Sequence, residues 1–289
     1  MEELPPAGGR VKIPFTIPVA PYWRDHRFSA AAVLPAVEAL QILARTLPEG
    51  GCSPLVQEGA VFRHLLTITP ETDALALVHE YSRDAEGKPH SRLLTLRRGR
   101  NSGLARSIEH ASLRFLELKN SPRSGDWSDG TFPKPAWKGE IFAFSGSRLY
   151  EELVPFGSAY RNVPGEVNLY PVGAEALVSG GEYPQAEGPL GSPFPFDAAL
   201  HLACAWGQRY AGLVTFPVAF ARREILIPTR ADRCYHCLVA HSGSSEDGLF
   251  FHIRLAADDG TLAEVIERVE MRPLAQEQRP IPVWLREGV

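Results

Sequence analysis

The 289 residues are 44% hydrophobic and 22% charged, which excludes a disordered or collagen-like chain and suits two domains or one large one, at about 150 residues each. Thirty Lys and Arg against 34 Asp and Glu leave a net charge of −4, which argues against a nucleic-acid partner held by overall basicity. No apolar run reaches the roughly 18 residues of a membrane span, residues 1–10 lack the pattern of a signal peptide, and four Cys make no disulfide framework, so a reducing cytoplasm is the expected compartment.

In chain order, the first convincing helix covers residues 31–47. Val33, Val37, Leu40, Ala44 and Leu47 share one stripe, Ala36, Ile42 and Leu43 widen it, and Pro35 falls in its first turns. Strand-like runs follow near 56–68, 74–81, 92–98 and 104–116. Residues 119–138, rich in Ser, Pro, Gly and Asp, read as a linker. A second helix covers 197–211: Asp197 stands at its start, Pro193 and Pro195 block helix before it, and Gly212 closes it. Four more strand-like runs lie near 216–227, 235–241, 249–256 and 262–271. Turn signals join the last two runs of each set, Asn101-Ser102-Gly103 in one and Asp258-Asp259-Gly260 in the other.

A buried helix followed by four antiparallel strands, twice over, is an internal repeat of pattern with little sequence identity between the copies. The expected fold is α+β: a double hotdog, two antiparallel sheets each wrapped around one central helix. The halves would be residues 1–118 and 139–275, with 276–289 an extended tail.

Two stretches could carry chemistry. Asp25-His26-Arg27-Phe28-Ser29-Ala30-Ala31-Ala32-Val33-Leu34-Pro35 places a His just before a helix start. Phe196-Asp197-Ala198-Ala199-Leu200-His201 places an Asp and a His one turn apart on one helix face. Imidazole titrates near ~6.5 and takes a proton at neutral pH, and a carboxyl among apolar residues holds one to higher pH. A helix start adds free N–H groups that polarise a carbonyl oxygen. That set suits proton abstraction next to a carbonyl. The plainer alternative makes Asp197 an N-cap and His26 a turn residue, and the residues alone leave both open.

The first stretch resembles the catalytic motif of polyketide synthase dehydratase domains: His, three residues, Gly, four residues, Pro. His26, Ala30 and Pro35 occupy that spacing, and Asp25, Arg27, Val33 and Leu34 match its surroundings. The second resembles the family's Leu-Asp-Ala-x-x-Gln/His motif at Asp197, Ala198 and His201. Phe156-Gly157-Ser158-Ala159-Tyr160-Arg161 is similar to its Tyr-Gly-Pro-x-Phe motif, and Phe216-Pro217-Val218 to its Leu-Pro-x strand motif. The four occur in the family's order.

The resemblance implies a 3-hydroxyacyl-[acyl carrier protein] dehydratase of polyketide or related fatty-acid synthesis. It makes His26 the general base, Asp197 the general acid and His201 the residue that orients Asp197. It places Ala30, Ala31, Pro35, Gly157, Tyr160, Phe216 and Pro217 against the substrate, with N–H groups near residues 30–32 at the thioester oxygen. No metal or organic cofactor is implied, because the substrate rides on the phosphopantetheine of a carrier protein. The implied partners are that carrier and a second copy of the chain, with no nucleic acid and no membrane span. Departures are Ala30 for Gly, Ala36 for the Gly after Pro35, and Phe156 for the Tyr whose hydroxyl the family carries. Tyr160 is a candidate to supply that hydroxyl from another direction. Double-bond isomerisation, cyclisation and a non-catalytic acyl-binding module are the competing functions.

Phe28, Leu34, Leu200, Trp206 and Phe216 are candidates to line an apolar tunnel, or ordinary core. Cys234 and Cys237 have the spacing of half a zinc site but lie on opposite faces of a strand. Five Arg between Arg92 and Arg106, with no acid among them, form a solvated strand face or a docking patch for an acidic carrier. His64, His79, His90, His110, His236, His241 and His252 show no ligand-like clustering and are taken as structural.

Overall fold

Each half of the chain lays down a helix and then the strands that cover it. The computed structural model describes residues 5–28, 31–48, 52–98, 105–116, 137, 139–273 and 280–287. The first half runs β1 (Arg10–Pro18), a 3-10 turn (Pro21–Asp25), β2 (Arg27–Phe28), β3 (Ala31–Val33), α1 (Ala36–Arg45), β4 (Val56–Phe62), β5 (Thr67–Ile68), β6 (Ala74–Arg83), β7 (Pro89–Arg98) and β8 (Ala105–Phe115). The second runs β9 (Phe142–Ser145), a short α2 (Gly146–Arg148) that continues as a π turn (Leu149–Leu153), a 3-10 turn (Ser158–Tyr160), β10 (Glu166–Tyr170) and β11 (Gly173–Ser179). There follow a 3-10 turn (Pro184–Ala186), α3 (Phe194–Trp206) with a π-helical end (Gly207–Ala211), β12 (Thr215–Ile225), β13 (Cys234–Ser245), β14 (Gly248–Ala256), β15 (Leu262–Pro273) and α4 (Val283–Glu287).

Strand order carries the repeat. In the first half the order is β1-β6-β7-β8-β4, and in the second β11-β13-β14-β15-β12. Counting only the strands of the large sheet, in both halves the strand before the helix pairs with the second strand after it, and the first strand after the helix pairs with the last. The two sheets are not separate. β4 pairs with β12, from Val61 opposite Ala219 to Val56 opposite Glu224, and joins them into one twelve-stranded antiparallel sheet. β2, β3 and β5 form a small second sheet.

The leading strands β1 and β11 escape a search for apolar runs. β1 alternates half-buried Val11, Ile13, Phe15 and Ile17 with exposed neighbours, and carries Pro14 and Pro18. Among the described residues it pairs with β6 alone, and an edge strand tolerates residues that lack an N–H.

The helices are shifted from their expected limits. α1 begins at Ala36, with Pro35 extended at its N-cap (ψ 147°), whereas residues 31–33 are strand, Ala32 lying opposite both Arg27 and Ile68. Proline disfavours helical backbone at the residue before it, so Leu34 ends the extended stretch instead of opening the helix. α3 begins three residues before Asp197. Pro193 is its N-cap, and Pro195 sits where the missing N–H has no helical acceptor anyway, so the two prolines launch the helix rather than block it. Gly212 ends the π turn with φ +67°.

The helices form the core. Residues 37–44 of α1 and all of α3 are buried. Gln41 of α1 reaches across to donate to Gly191 O at 2.6 Å, and Arg45 donates to Ala186 O and Glu187 O at 3.1 and 2.9 Å, so the halves are tied by polar contacts beside the apolar ones.

Residues 276–289 were expected to be extended, but Val283–Glu287 coil into one helical turn. Trp284 stacks on Phe142 at 5.9 Å beneath the Arg148 guanidinium, Leu285 is fully buried, and Arg209 holds the carbonyls of Leu285 and Arg286 at 2.5 and 2.6 Å. The expected linker at 119–138 lies outside the described residues except for Trp137, whose ring meets Tyr170 edge-on at 5.0 Å.

Candidate active site

His26 follows the 3-10 turn Pro21–Asp25 and precedes β2, ten residues before α1, so it does not stand at a helix start as expected. Its N–H closes the turn on Trp23 O at 3.2 Å. The ring is buried, and Nδ1 lies 3.2 Å from Val33 O. A carbonyl only accepts, so Nδ1 carries the proton and Nε2 is left as the basic nitrogen. Burial lowers the His26 pKa to about 4, with the Asp197 carboxylate pulling back and His201 adding to the drop. At neutral pH the ring is therefore an uncharged base.

Asp197 lies in the first turn of α3, but its side chain caps nothing. It is 4% exposed and faces His201 on the next turn, with His201 Nε2 3.0 Å from Asp197 Oδ2. The close approach is off the line of a straight N–H···O bond, as the i, i+4 helix geometry imposes. The far nitrogen, His201 Nδ1, lies 3.3 Å from the hydroxyl of Tyr150 in the π turn. No sequence signal marks Tyr150, which stands 51 residues from its partner and outside every motif.

The third motif docks the halves. The Gly157 N–H donates to Asp25 O at 2.8 Å, and Asp25 Oδ2 accepts from the Ala159 N–H at 3.0 Å and the Ser158 hydroxyl at 3.2 Å. Residue 157 must be glycine for space, since a Cβ there would stand 2.4 Å from Asp25 Cγ. Phe156 is thereby set between the two histidines, 4.4 Å from His26 and 5.0 Å from His201 between ring centroids. Tyr160, the candidate to replace its missing hydroxyl, packs edge-on against His26 at 5.1 Å, but its own hydroxyl is buried with no hydrogen-bond partner.

His26, Asp197, His201 and Phe156 all face one apolar cavity that is open to the surface. Of the other expected contact residues, Phe216 and Pro217 line it. Pro217 sits on β12 at a bulge, beyond the reach of β4, where no ladder N–H is needed. Gly157 and Tyr160 lie behind the cavity, Ala31 is exposed on β3, Pro35 caps α1, and none of these four lines it. Ala30 lies outside the described residues, and the N–H groups of residues 31–32 belong to a strand, not a helix start. The helix start that reaches the cavity is Ala36. Phe28, Leu34, Leu200 and Phe216 line the cavity as candidates, whereas Trp206 stacks on His241 at 4.2 Å and donates to Tyr170 O at 2.9 Å.

Two histidines taken as structural also line the cavity. His110 Nδ1 donates to His64 O and His64 Nδ1 to Glu109 O, both at 2.9 Å, which pins residues 63–66 to β8 where the cavity reaches the surface beside half-exposed Leu65. The Arg92–Arg106 face is partly neutralised, since Arg92 bridges Glu80 at 2.7 Å and Glu109 at 2.5 Å. Cys234 and Cys237 lie on β13, half-buried and buried, and no group of three metal-ligating side chains occurs among the described residues. No helix of the described chain is long and apolar enough to cross a membrane.

No family model and no curated protein matches the sequence. Solved structures do match the fold. A monomeric dehydratase domain from a trans-AT polyketide synthase split module superposes with a TM-score of 0.71 at 13% identity, over 92% of this chain and 100% of that one. A bifunctional dehydratase-cyclase domain of ambruticin biosynthesis gives 0.67 at 18% identity, over 91% of each chain. The dehydratase domain of PpsC from Mycobacterium tuberculosis, in complex with C12:1-CoA, gives 0.66 at 19% identity, over 93% of this chain and 98% of that one. The chain therefore has the double-hotdog fold of polyketide synthase dehydratase domains.

Proposed function

We propose that this protein is a dehydratase that removes water from 3-hydroxyacyl thioesters carried on an acyl carrier protein, in polyketide or related fatty-acid synthesis. One observation carries the reading: His26 from the first half and the Asp197–His201 pair from the second face the same apolar cavity. A deprotonated imidazole and a carboxyl group facing one cavity are what an elimination across two adjacent carbons requires. The structural neighbours are dehydratase domains, one of them in complex with C12:1-CoA, and agree with it.

In the proposed reaction the thioester carbonyl makes the C2 hydrogen acidic, and His26 Nε2 takes that proton. The C2–H electron pair becomes the C2–C3 double bond, and the C3–O bond breaks. The leaving hydroxyl takes a proton from Asp197 and departs as water. The imidazolium and carboxylate left behind return to their starting forms by net transfer of one proton from His26 to Asp197. Ala36, which starts α1 and lines the cavity, would supply an N–H to the thioester oxygen, where negative charge develops. The apolar lining holds the acyl chain and keeps bulk water from the reacting carbons.

The ambruticin neighbour is a bifunctional dehydratase-cyclase domain, which makes cyclisation the second reading. The test is to incubate the protein with a 3-hydroxyacyl carrier thioester and identify the product by mass spectrometry. A 2-enoyl thioester supports dehydration. A shifted double bond or a ring assigns the chain to isomerisation or cyclisation, and tight binding with no new product assigns it to acyl binding.

A further inference from the structure

His201 has two ring nitrogens, and only the one near Asp197 was anticipated to matter. The other, Nδ1, meets the Tyr150 hydroxyl at 3.3 Å in a pocket where Tyr150 is 2% exposed and His201 4%. The two rings are nearly perpendicular, at 88°. A lone pair on Nε2 would face those of Asp197 Oδ2 at 3.0 Å, so the Tyr150 hydroxyl hydrogen is the one that serves Nδ1. A ring nitrogen that accepts a hydrogen bond carries no proton. The proton of neutral His201 then sits on Nε2, 3.0 Å from Asp197 Oδ2.

We infer that Tyr150 is a positioning residue that fixes His201 as the Nε2–H tautomer and so keeps a donor, not a lone pair, against Asp197 Oδ2. The other tautomer would set two acceptors 3.0 Å apart in a buried site. With Oδ2 facing the imidazole N–H, the transferable proton of Asp197 belongs on Oδ1. This last consequence rests on the dehydratase reading, but the tautomer does not. Phe156 brings no hydroxyl to this place, and that of Tyr160 engages nothing, so Tyr150 reaches His201 from a helix the motifs do not include.

The test uses protein labelled with ¹⁵N at histidine. Long-range ¹H–¹⁵N correlation spectra report which nitrogen of each ring is protonated, and His201 is assigned by its loss in His201→Gln. The expected wild-type pattern is Nε2–H. In Tyr150→Phe the His201 signals should move toward a mixture of tautomers. The kcat for thioester hydration should then fall roughly tenfold, the effect of about 1.4 kcal/mol, with KM little changed. A wild-type ring protonated on Nδ1, or a tautomer unchanged in Tyr150→Phe, overturns the inference. Should that variant fail to fold, the wild-type spectrum alone decides. A wild type with the Nε2–H pattern but no thioester chemistry sinks the dehydratase reading and leaves the role of Tyr150 standing.

Discussion

Asp25 and Gly157 clasp each other across the two halves of the chain: the Gly157 N–H bonds to Asp25 O at 2.8 Å, and the glycine leaves no room for a Cβ beside the carboxylate. Asp25 is covalently next to His26, and Gly157 next to Phe156, which packs on His26. One contact therefore sets His26 of one half against the aromatic wall of the other. Gly157→Ala should cost about 1–3 kcal/mol in urea unfolding, the range for overpacking, and should slow turnover by moving His26. Gly165→Ala is the control, since no atom lies within 4 Å of its added Cβ. Equal stability of the two variants would show that the clasp is loose.

The buried His26 gives the protein an acid limb. Its folded pKa is about 4, against about 6.5 in an unfolded chain. Between these values the unfolded state binds more protons, so stability is full above pH about 6.5 and is lost as the pH falls toward 4, by about 3 kcal/mol from this group. His79, buried with Nδ1 3.0 Å from Thr46 O and lowered to about 4, adds in the same direction. Denaturant unfolding from pH 7 to 4 should show this slope, flattened in His26→Asn. An unchanged slope in that variant would mean that His26 takes its proton freely in the folded protein.

Glu38 has the opposite sign. It is fully buried on α1, beside the Tyr22 hydroxyl and the Trp23 indole, yet neither meets its carboxylate in good hydrogen-bond geometry. Burial raises its pKa to about 7. The folded state holds the proton where the unfolded state has lost it, so stability falls as the pH rises through this window and is lowest above about 7. Glu38→Gln should be more stable than wild type at pH 8, by about 1–3 kcal/mol, and equal to it near pH 4. A variant less stable at pH 8 would show that the ionised carboxylate is well solvated or paired.

Much of the fold was legible because burial writes itself into sequence. Leu40 and Leu43 on one helix and the mostly apolar run around Leu200 on the other belong inside, and Asp258-Asp259-Gly260 marked a hairpin that Gly260 makes with φ +82°. The leading strands were not legible, because β1 is a proline-bearing edge whose apolar residues are only half buried. Nor was the start of α1, where pairing of Ala32 with Ile68 overrides the helix-like spacing of residues 31–35. At the site, local motifs placed His26, Asp197, His201, Phe216 and Pro217 on the cavity. Tyr150, His64 and His110 were invisible, because what matters in each is a partner brought near only by the folded chain. Gly157 stood out as a motif residue, but its work is to admit Asp25 rather than a substrate.

The central claim is that one group from each half acts on the same carbon–carbon bond. Its most direct test is the rate of water addition to a crotonyl thioester on a carrier protein, the reverse of dehydration, for wild type, His26→Ala and Asp197→Asn. The expected result is measurable hydration by wild type and a loss of roughly 10²–10⁴-fold in each variant, both remaining folded. Hydration by both variants at the wild-type rate would contradict the assignment of His26 and Asp197 as base and acid.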